Sequence, residues 1–213
     1  MLNNFYKILV LAPHTDDGEL GCGGTIARFI EEKKKIYYVA FSAAEKSVPR
    51  EFPKDILKKE VKKATKVLGI SSKNLTLFDY PVREFPQHRQ KILEDMVKLE
   101  KKIKPDLVFL PSPNDTHQDH QVICQEGFRA FKTTSLLGYE IPYNNLTFNT
   151  NAFVIFGEKH LQKKLKAMSY YKSQSQRTWI SKEFLKSLAI TRGRQIKTNS
   201  YAEAFEIIRW VIK

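Results

Sequence analysis

Cysteine is nearly absent: the 213 residues contain two, Cys22 and Cys124, far apart in the chain. So few exclude a disulfide scaffold, and without a CxxC pair they exclude a thiolate metal site of the zinc-finger kind. Two buried thiols are expected, Cys22 close enough to the first motif below to line a pocket wall. Long apolar runs are missing as well, and none reaches the ~20 residues that a membrane-spanning helix needs. Met1 to Lys7 leads straight into a short apolar stretch at 8–12, without the basic start, longer apolar region and small-residue cleavage site of a secretory leader. The expectation is a soluble, cytoplasmic protein that is not transmembrane. Two common catalytic signatures are also lacking. The glycines at 21–24 do not fit GxGxxG, and the aspartate pair before them would repel a pyrophosphate. No GxSxG elbow exists to present a serine nucleophile.

Acidic residues fall well short of basic ones, 23 against 36, for a net charge of +13. The lysines come in runs, Lys33 to Lys35, Lys58-Lys59, Lys62-Lys63, Lys101-Lys102 and Lys163-Lys164, on stretches of amphipathic helical spacing. Solvated lysine faces are the plain reading. The sharper one is attraction to an anionic or phosphorylated partner, whether nucleotide sugar, anionic lipid or nucleic acid. No nucleic-acid-binding motif accompanies the charge, so a nucleic-acid partner is not expected.

What is present is an alternation. Short apolar runs at 8–11, 37–41, 75–78 and 107–110 read as strands, and segments of helical spacing at 53–68 and 87–103 lie between them. This predicts βαβ units, a mostly parallel sheet and an α/β fold whose ligands bind at the carboxyl ends of the strands. Beyond Phe131 the spacing predicts strands at 136–140 and 152–156 and helices at 158–171, 182–190 and 202–211. No repeat, linker or low-complexity stretch interrupts the chain, and residues 1–213 are expected to form one domain.

Two polar segments follow the first and fourth strands. Pro13-His14-Thr15-Asp16-Asp17-Gly18-Glu19 carries one imidazole and three carboxylates, and Asn114-Asp115-Thr116-His117-Gln118-Asp119-His120 carries two of each. The chain has only five histidines, and three of them lie here. His88 and His160, in Lys- or Gln-rich surroundings, are expected to be exposed. Crowding so many carboxylates and imidazoles at one point is costly unless a cation organises them. Hydrolytic zinc takes three protein ligands and keeps one position open. His14 with Asp17 supplies one pair and His120 a third ligand. Tyr80, Phe85, Tyr139 and Tyr143 are candidates to stack on a ligand ring, core packing being the expected use for most of them.

His14-Thr15-Asp16-Asp17 with Gly23-Gly24, followed by His117-Gln118-Asp119-His120, resembles the LmbE/PIG-L family of zinc-dependent N-acetylglucosamine deacetylases. Tyr171-Lys172-Ser173-Gln174 and the stretch from Arg192-Gly193 to Phe205 resemble its closing patterns. The resemblance implies a Rossmann-like three-layer fold without a dinucleotide. It implies metal ligands His14, Asp17 and His120, and Asp16 as general base. It further implies that a protonated His117 steadies the oxyanion or assists the leaving amine, and that Asp119 orients a histidine. The implied metal is Zn2+, and Fe2+ would fit the same ligands. The implied substrate is an amino-sugar conjugate on a larger carrier, the net charge of +13 favouring an anionic or phosphorylated one, and a homo-oligomer stays open. Thr15 replaces the usual proline, Gly18 stands where many members carry Glu, and Leu57 stands where the family often carries Arg. Arg50, in the preceding loop, and Asp115 are the candidates for substrate contact. Two alternatives stay open: an amidase for a non-sugar acylated amine, and a basic binding module with a structural metal site.

Overall fold

The computed structural model describes residues 5–212. Among them, β1 (Lys7–His14), β2 (Lys35–Ser42), β3 (Leu75–Leu77), β4 (Leu107–Pro111), β5 (Ser135–Tyr139), β6 (Ala152–Phe156) and β7 (Tyr201–Arg209) form one sheet in the order β3-β2-β1-β4-β5-β7-β6. The first five pair in parallel, and β7 runs antiparallel to both β5 and β6. Six helices accompany them among the described residues: α1 (Asp17–Glu31), α2 (Ile56–Leu68), α3 (Arg89–Ile103), α4 (Gln118–Ala130), α5 (Glu158–Met168) and α6 (Lys182–Gln195). None of the described helices is long and apolar enough to cross a membrane.

Alternation along the central strands builds two cores. Ile8, Val10 and Ala12 of β1 and Leu107 and Phe109 of β4 face a cluster completed by α1, α2, α5 and α6. Leu9, Leu11, Val108 and Leu110 face the opposite cluster with α3 and α4. Strands buried on both faces need helices on both faces, which gives the expected Rossmann-like three-layer α/β sandwich. The strand order reverses between β1 and β4, so the loops after these two strands open at adjacent carboxyl ends. Such a switch point is where doubly wound sheets bind ligands.

The glycines after the first motif serve packing. A Cβ on Gly21 would stand 2.4 Å from the ring of Tyr139, and one on Gly24 equally close to Phe156. Their absence lets α1 approach the sheet closely. The helix is interrupted at Cys22, where φ is −143°, and Glu203 of β7 caps the part that follows by accepting the amides of Gly24 and Thr25 at 2.9 and 2.7 Å. Lys164 of α5 neutralises that buried carboxylate at 2.6 Å. Cys22 lies in this core with its thiol donating to the carbonyl of Gly18 at 3.1 Å.

Three expectations need correction. Residues 202–211 do not form a helix: 201–209 are β7, held between two antiparallel neighbours. The helix expected at 158–171 ends at Met168, so Tyr171 is free to reach under the first motif. His160 is buried, 7% exposed, with Nε2 bonded to Glu31 and Nδ1 accepting the amide of Gly157. Gly21→Ala should cost about 1–3 kcal/mol through overpacking against Tyr139, measured as a lower midpoint in urea denaturation.

Candidate active site

The first motif begins on the last residue of β1. His14 closes the strand, and α1 starts at Asp17, whose Oδ2 accepts the amide of His14 at 2.8 Å. The second motif leaves β4 through Ser112, and His117 caps α4: its Nδ1 accepts the amide of Asp119 at 3.1 Å. Glu206 of β7 fastens this loop from below through Ser112 and Asn114.

The two loops meet in a small triangle. Nδ1 of His14 lies 3.2 Å from Oδ2 of Asp17, and Nε2 of His120 lies 3.3 Å from the same oxygen and 3.3 Å from Nδ1 of His14. Metal–ligand bonds of roughly 2.0–2.2 Å in a tetrahedron place donor atoms about 3.3–3.6 Å apart. The three atoms therefore already have the spacing of one metal's ligands. The outward nitrogens are held too: Nε2 of His14 binds Oδ2 of Asp119 at 2.9 Å, and Nδ1 of His120 binds Oδ2 of Asp115 at 2.7 Å. Carboxylates behind ligating imidazoles fix ring orientation and tautomer in metal sites. His117 also brings a ring nitrogen to the centre, so that His14, His117 and His120 have ligand atoms within 4.8 Å of one another and form a group able to hold a metal ion. Asp17 completes a tighter set than His117 does.

The electrostatics point the same way. Burial opposes charge on His120, but Asp17 and Asp115 outweigh it and raise the ring to about 10. His14 is raised by Asp119 and Asp17 against its own burial. Burial likewise opposes charge on Asp17, yet the two imidazoles hold its carboxyl well below the usual range. This field favours positive charge at the centre of the triangle, as ring protons or as a cation. Asp16, next to the triangle, is pushed up to about 6 by burial and by Asp17. His117 is lowered to about 4 by burial and by the two neighbouring imidazoles. Because its Nδ1 already accepts a hydrogen bond, the neutral ring carries its proton on Nε2. The Nε2–H of the neutral His117 ring is thus left available as a donor.

A cavity of about 140 Å³ lies over the triangle, lined by His14, Asp16, Asp17, His117 and His120 and also by Arg83, Tyr143, Gln174 and Arg177. Arg50 and Asp115 do not line it. Asp115 is buried, with its oxygens taken by His120 and by the amide of His117, so its place is behind a histidine, away from substrate. Leu57 lines the cavity, and the guanidinium groups come instead from Arg83 and Arg177. Neither carried a sequence signal, since each stands in a loop with no chemical motif. Of the four aromatic candidates, Tyr80, Phe85 and Tyr139 are buried in the core, whereas Tyr143 is 44% exposed and lines the cavity.

Beneath the motif, Glu19 is buried among Tyr38 and Tyr171, and both phenols also reach the carbonyl of Thr15. Burial pushes the Glu19 carboxyl up to about 8. The hydroxyls of Tyr38 and Tyr171 donate to Oε2 and Oε1 of Glu19 and lie against the carbonyl of Thr15, which holds the turn that carries Asp16. A carboxyl raised on folding favours the folded state fully below its unfolded value, near 4.5, and loses that contribution as the pH rises through its folded value. The wild-type chain should therefore lose stability relative to Glu19→Gln between about pH 4.5 and pH 8, as followed by denaturation midpoints across that window. Parallel midpoints would show that Glu19 ionises normally.

Comparison with known proteins fits this geometry. Residues 9–131 match the family model described as PIG-L: GlcNAc-PI de-N-acetylase. An uncharacterized deacetylase of Escherichia coli, YaiS, is 29% identical over 172 residues, which cover 78% of this chain and 90% of that protein. The N,N'-diacetylchitobiose deacetylase of Pyrococcus horikoshii superposes with a TM-score of 0.81 at 23% identity, covering 97% of this chain and 85% of that one. GalB of Pseudomonas putida, a 4-carboxy-2-hydroxymuconate hydratase, superposes at 0.80 with 20% identity over 97% of this chain and 98% of that one, so the fold alone does not select the reaction. The matched segment contains both histidine–aspartate motifs and both strands that present them, and by that match the chain belongs to the PIG-L de-N-acetylase family.

Proposed function

We propose that this chain is a zinc-dependent N-deacetylase that hydrolyses the N-acetyl group of an amino sugar, a GlcNAc-type residue on a larger carrier. The observation that carries the reading is the triangle of His14 Nδ1, Asp17 Oδ2 and His120 Nε2, at 3.2–3.3 Å, opening into a cavity that also presents Asp16 and His117. Two imidazoles and one carboxylate suit zinc, with ferrous iron compatible. The family and the diacetylchitobiose deacetylase that the chain resembles favour a sugar amide. The same reading treats residues 1–213 as one domain.

A divalent cation held by His14, Asp17 and His120 would acidify water toward pKa ~7 and polarise the amide carbonyl. The chain's own groups do the rest. The Asp16 carboxylate, bonded to no other side chain among the described residues, accepts a proton from the attacking water as its oxygen bonds to the carbonyl carbon. Nε2–H of His117 donates to the carbonyl oxygen as that oxygen gains charge. The proton held on Asp16 passes to the amide nitrogen as the C–N bond breaks, releasing free amine and acetate.

Elemental analysis of chelator-free protein reconstituted with zinc should find about one equivalent per chain, and no bound metal would end the proposal. Asp16→Asn should keep the metal and lower kcat by about 10²–10⁴-fold; near-normal turnover would remove Asp16 as the base. Asp115→Ala should weaken zinc affinity by roughly 10–100-fold in a competition titration, because His120 loses the partner that orients it, and unchanged affinity would show that Asp115 has no such part.

A further inference from the structure

Gln174 lines the cavity although it is only 3% exposed, and its carboxamide is held by a chain of buried hydrogen bonds. Glu60 of α2 is itself buried, and its carboxylate accepts the amide of Ser173 at 3.1 Å and the hydroxyl of Ser173 at 2.6 Å. Nε2 of Gln174 donates in turn to Oγ of Ser173 at 3.2 Å. The first member fixes the direction of this chain. A carboxylate only accepts, so the single hydroxyl proton of Ser173 goes to Glu60, and Oγ is left to accept from its other neighbour. Gln174 must therefore turn its NH2 group toward Ser173 and its carbonyl oxygen, Oε1, away.

Among the described residues, Oε1 of Gln174 accepts no hydrogen bond. The buried side-chain atoms that lack a partner belong to Thr15, Thr25 and Asn145, so Oε1 is open to solvent space, and the space that Gln174 lines is the cavity. The backbone beneath it is secured from both sides. The Tyr171 hydroxyl bonds Glu19 at 2.7 Å and reaches the carbonyl of Thr15 under the first motif. The amide of Gln174 donates to the carbonyl of Tyr171 at 3.0 Å, and the amide of Arg177 donates to the carbonyl of Gln174 at 3.0 Å. Leu57, on the same helix as Glu60, lines the cavity without a polar side-chain atom. An acceptor so oriented, and left without a donor, is preorganised for a donor that arrives with the ligand.

Resting on the deacetylase reading, we propose that Oε1 of Gln174 accepts a hydrogen bond from a hydroxyl of the acylated sugar and so selects a substrate that brings one. Glu60 and Ser173 are positioning residues that act through Gln174: they keep the carbonyl end of the amide turned to the substrate. An acylated amine with no hydroxyl at that place leaves the acceptor desolvated and unpaired, which is how a site built around a polar group rejects an analogue that lacks its partner.

The test measures kcat/KM of the zinc-reconstituted chain on the methyl glycoside of N-acetylglucosamine and on its 3-, 4- and 6-deoxy and deoxyfluoro analogues. Loss of one of these hydroxyls should lower kcat/KM by about tenfold or more, and fluorine at that position should not restore it, because fluorine cannot donate. In Gln174→Met, which keeps the length and removes the carbonyl, that ratio should fall toward one while the other positions keep their wild-type ratios. Ser173→Ala, which frees the amide to turn, should reduce the same ratio and leave the others alone. If both variants lower activity on every compound alike, with the sensitive position unchanged, Gln174 is structural and the proposal is overturned. Recovery with fluorine overturns the orientation, since the hydroxyl would then be accepting. Turnover with no sensitive position overturns the contact and leaves the deacetylase reading intact. If no acylated sugar turns over, the deacetylase reading fails, and calorimetric binding of the same series as free amines, in wild type and Gln174→Met, decides the contact by the same pattern.

Discussion

Oδ2 of Asp17 is the atom on which the two halves of the sheet converge. It accepts the amide of His14, which fixes the turn out of β1, and it faces an imidazole from each motif, one following β1 and one within α4. A carboxylate so enclosed is tolerable only with positive charge around it. The flanking carboxylates Asp119 and Asp115 then hold the outer nitrogens of those imidazoles. The arrangement is therefore carboxylate, imidazole, carboxylate in both directions from one oxygen. The strand order that reverses between β1 and β4 is what lets it close.

The parts legible in the sequence were those whose signal is local. Strands at 8–11 and 107–110 stood out because they are buried on both faces and separated by amphipathic helix, as at Leu57, Val61, Ala64 and Leu68 of α2. The two motifs stood out because their histidines and carboxylates lie within a few positions of one another. The last strand did not. Residues 202–206 of β7 are all buried, so no two-residue alternation shows, and Glu203 and Glu206 give it the polarity of a surface helix while serving as buried anchors for α1 and for the loop after β4. His160 looked exposed for a similar reason, since its partner Glu31 is distant in sequence.

The lining contributed by Arg83 and Arg177 was the least legible part. Arg83, Tyr143 and Arg177 come from three separate loops, and only packing brings them together. Leu57, which stands where the family often carries Arg, also lines the cavity but has no charge to offer. The imidazoles and carboxylates of the triangle thus come from contiguous motifs, and the rest of the cavity lining is assembled across the fold.

Asp119 ties the two together. One oxygen receives both the His14 ring and the amide of Arg83, and the other receives the amide of Phe85. The loop at 83–85 and a central imidazole thus hang from one carboxylate, and a change in that loop's length or backbone shape is transmitted to the hydrolytic centre. The loop of Tyr143 is tied to the second motif in the same way: the carbonyl of Asn144 accepts the amide and the hydroxyl of Thr116, and Asn145 bridges to Asp115. Both loops are therefore constrained to change what the cavity accepts through side chains on a fixed backbone.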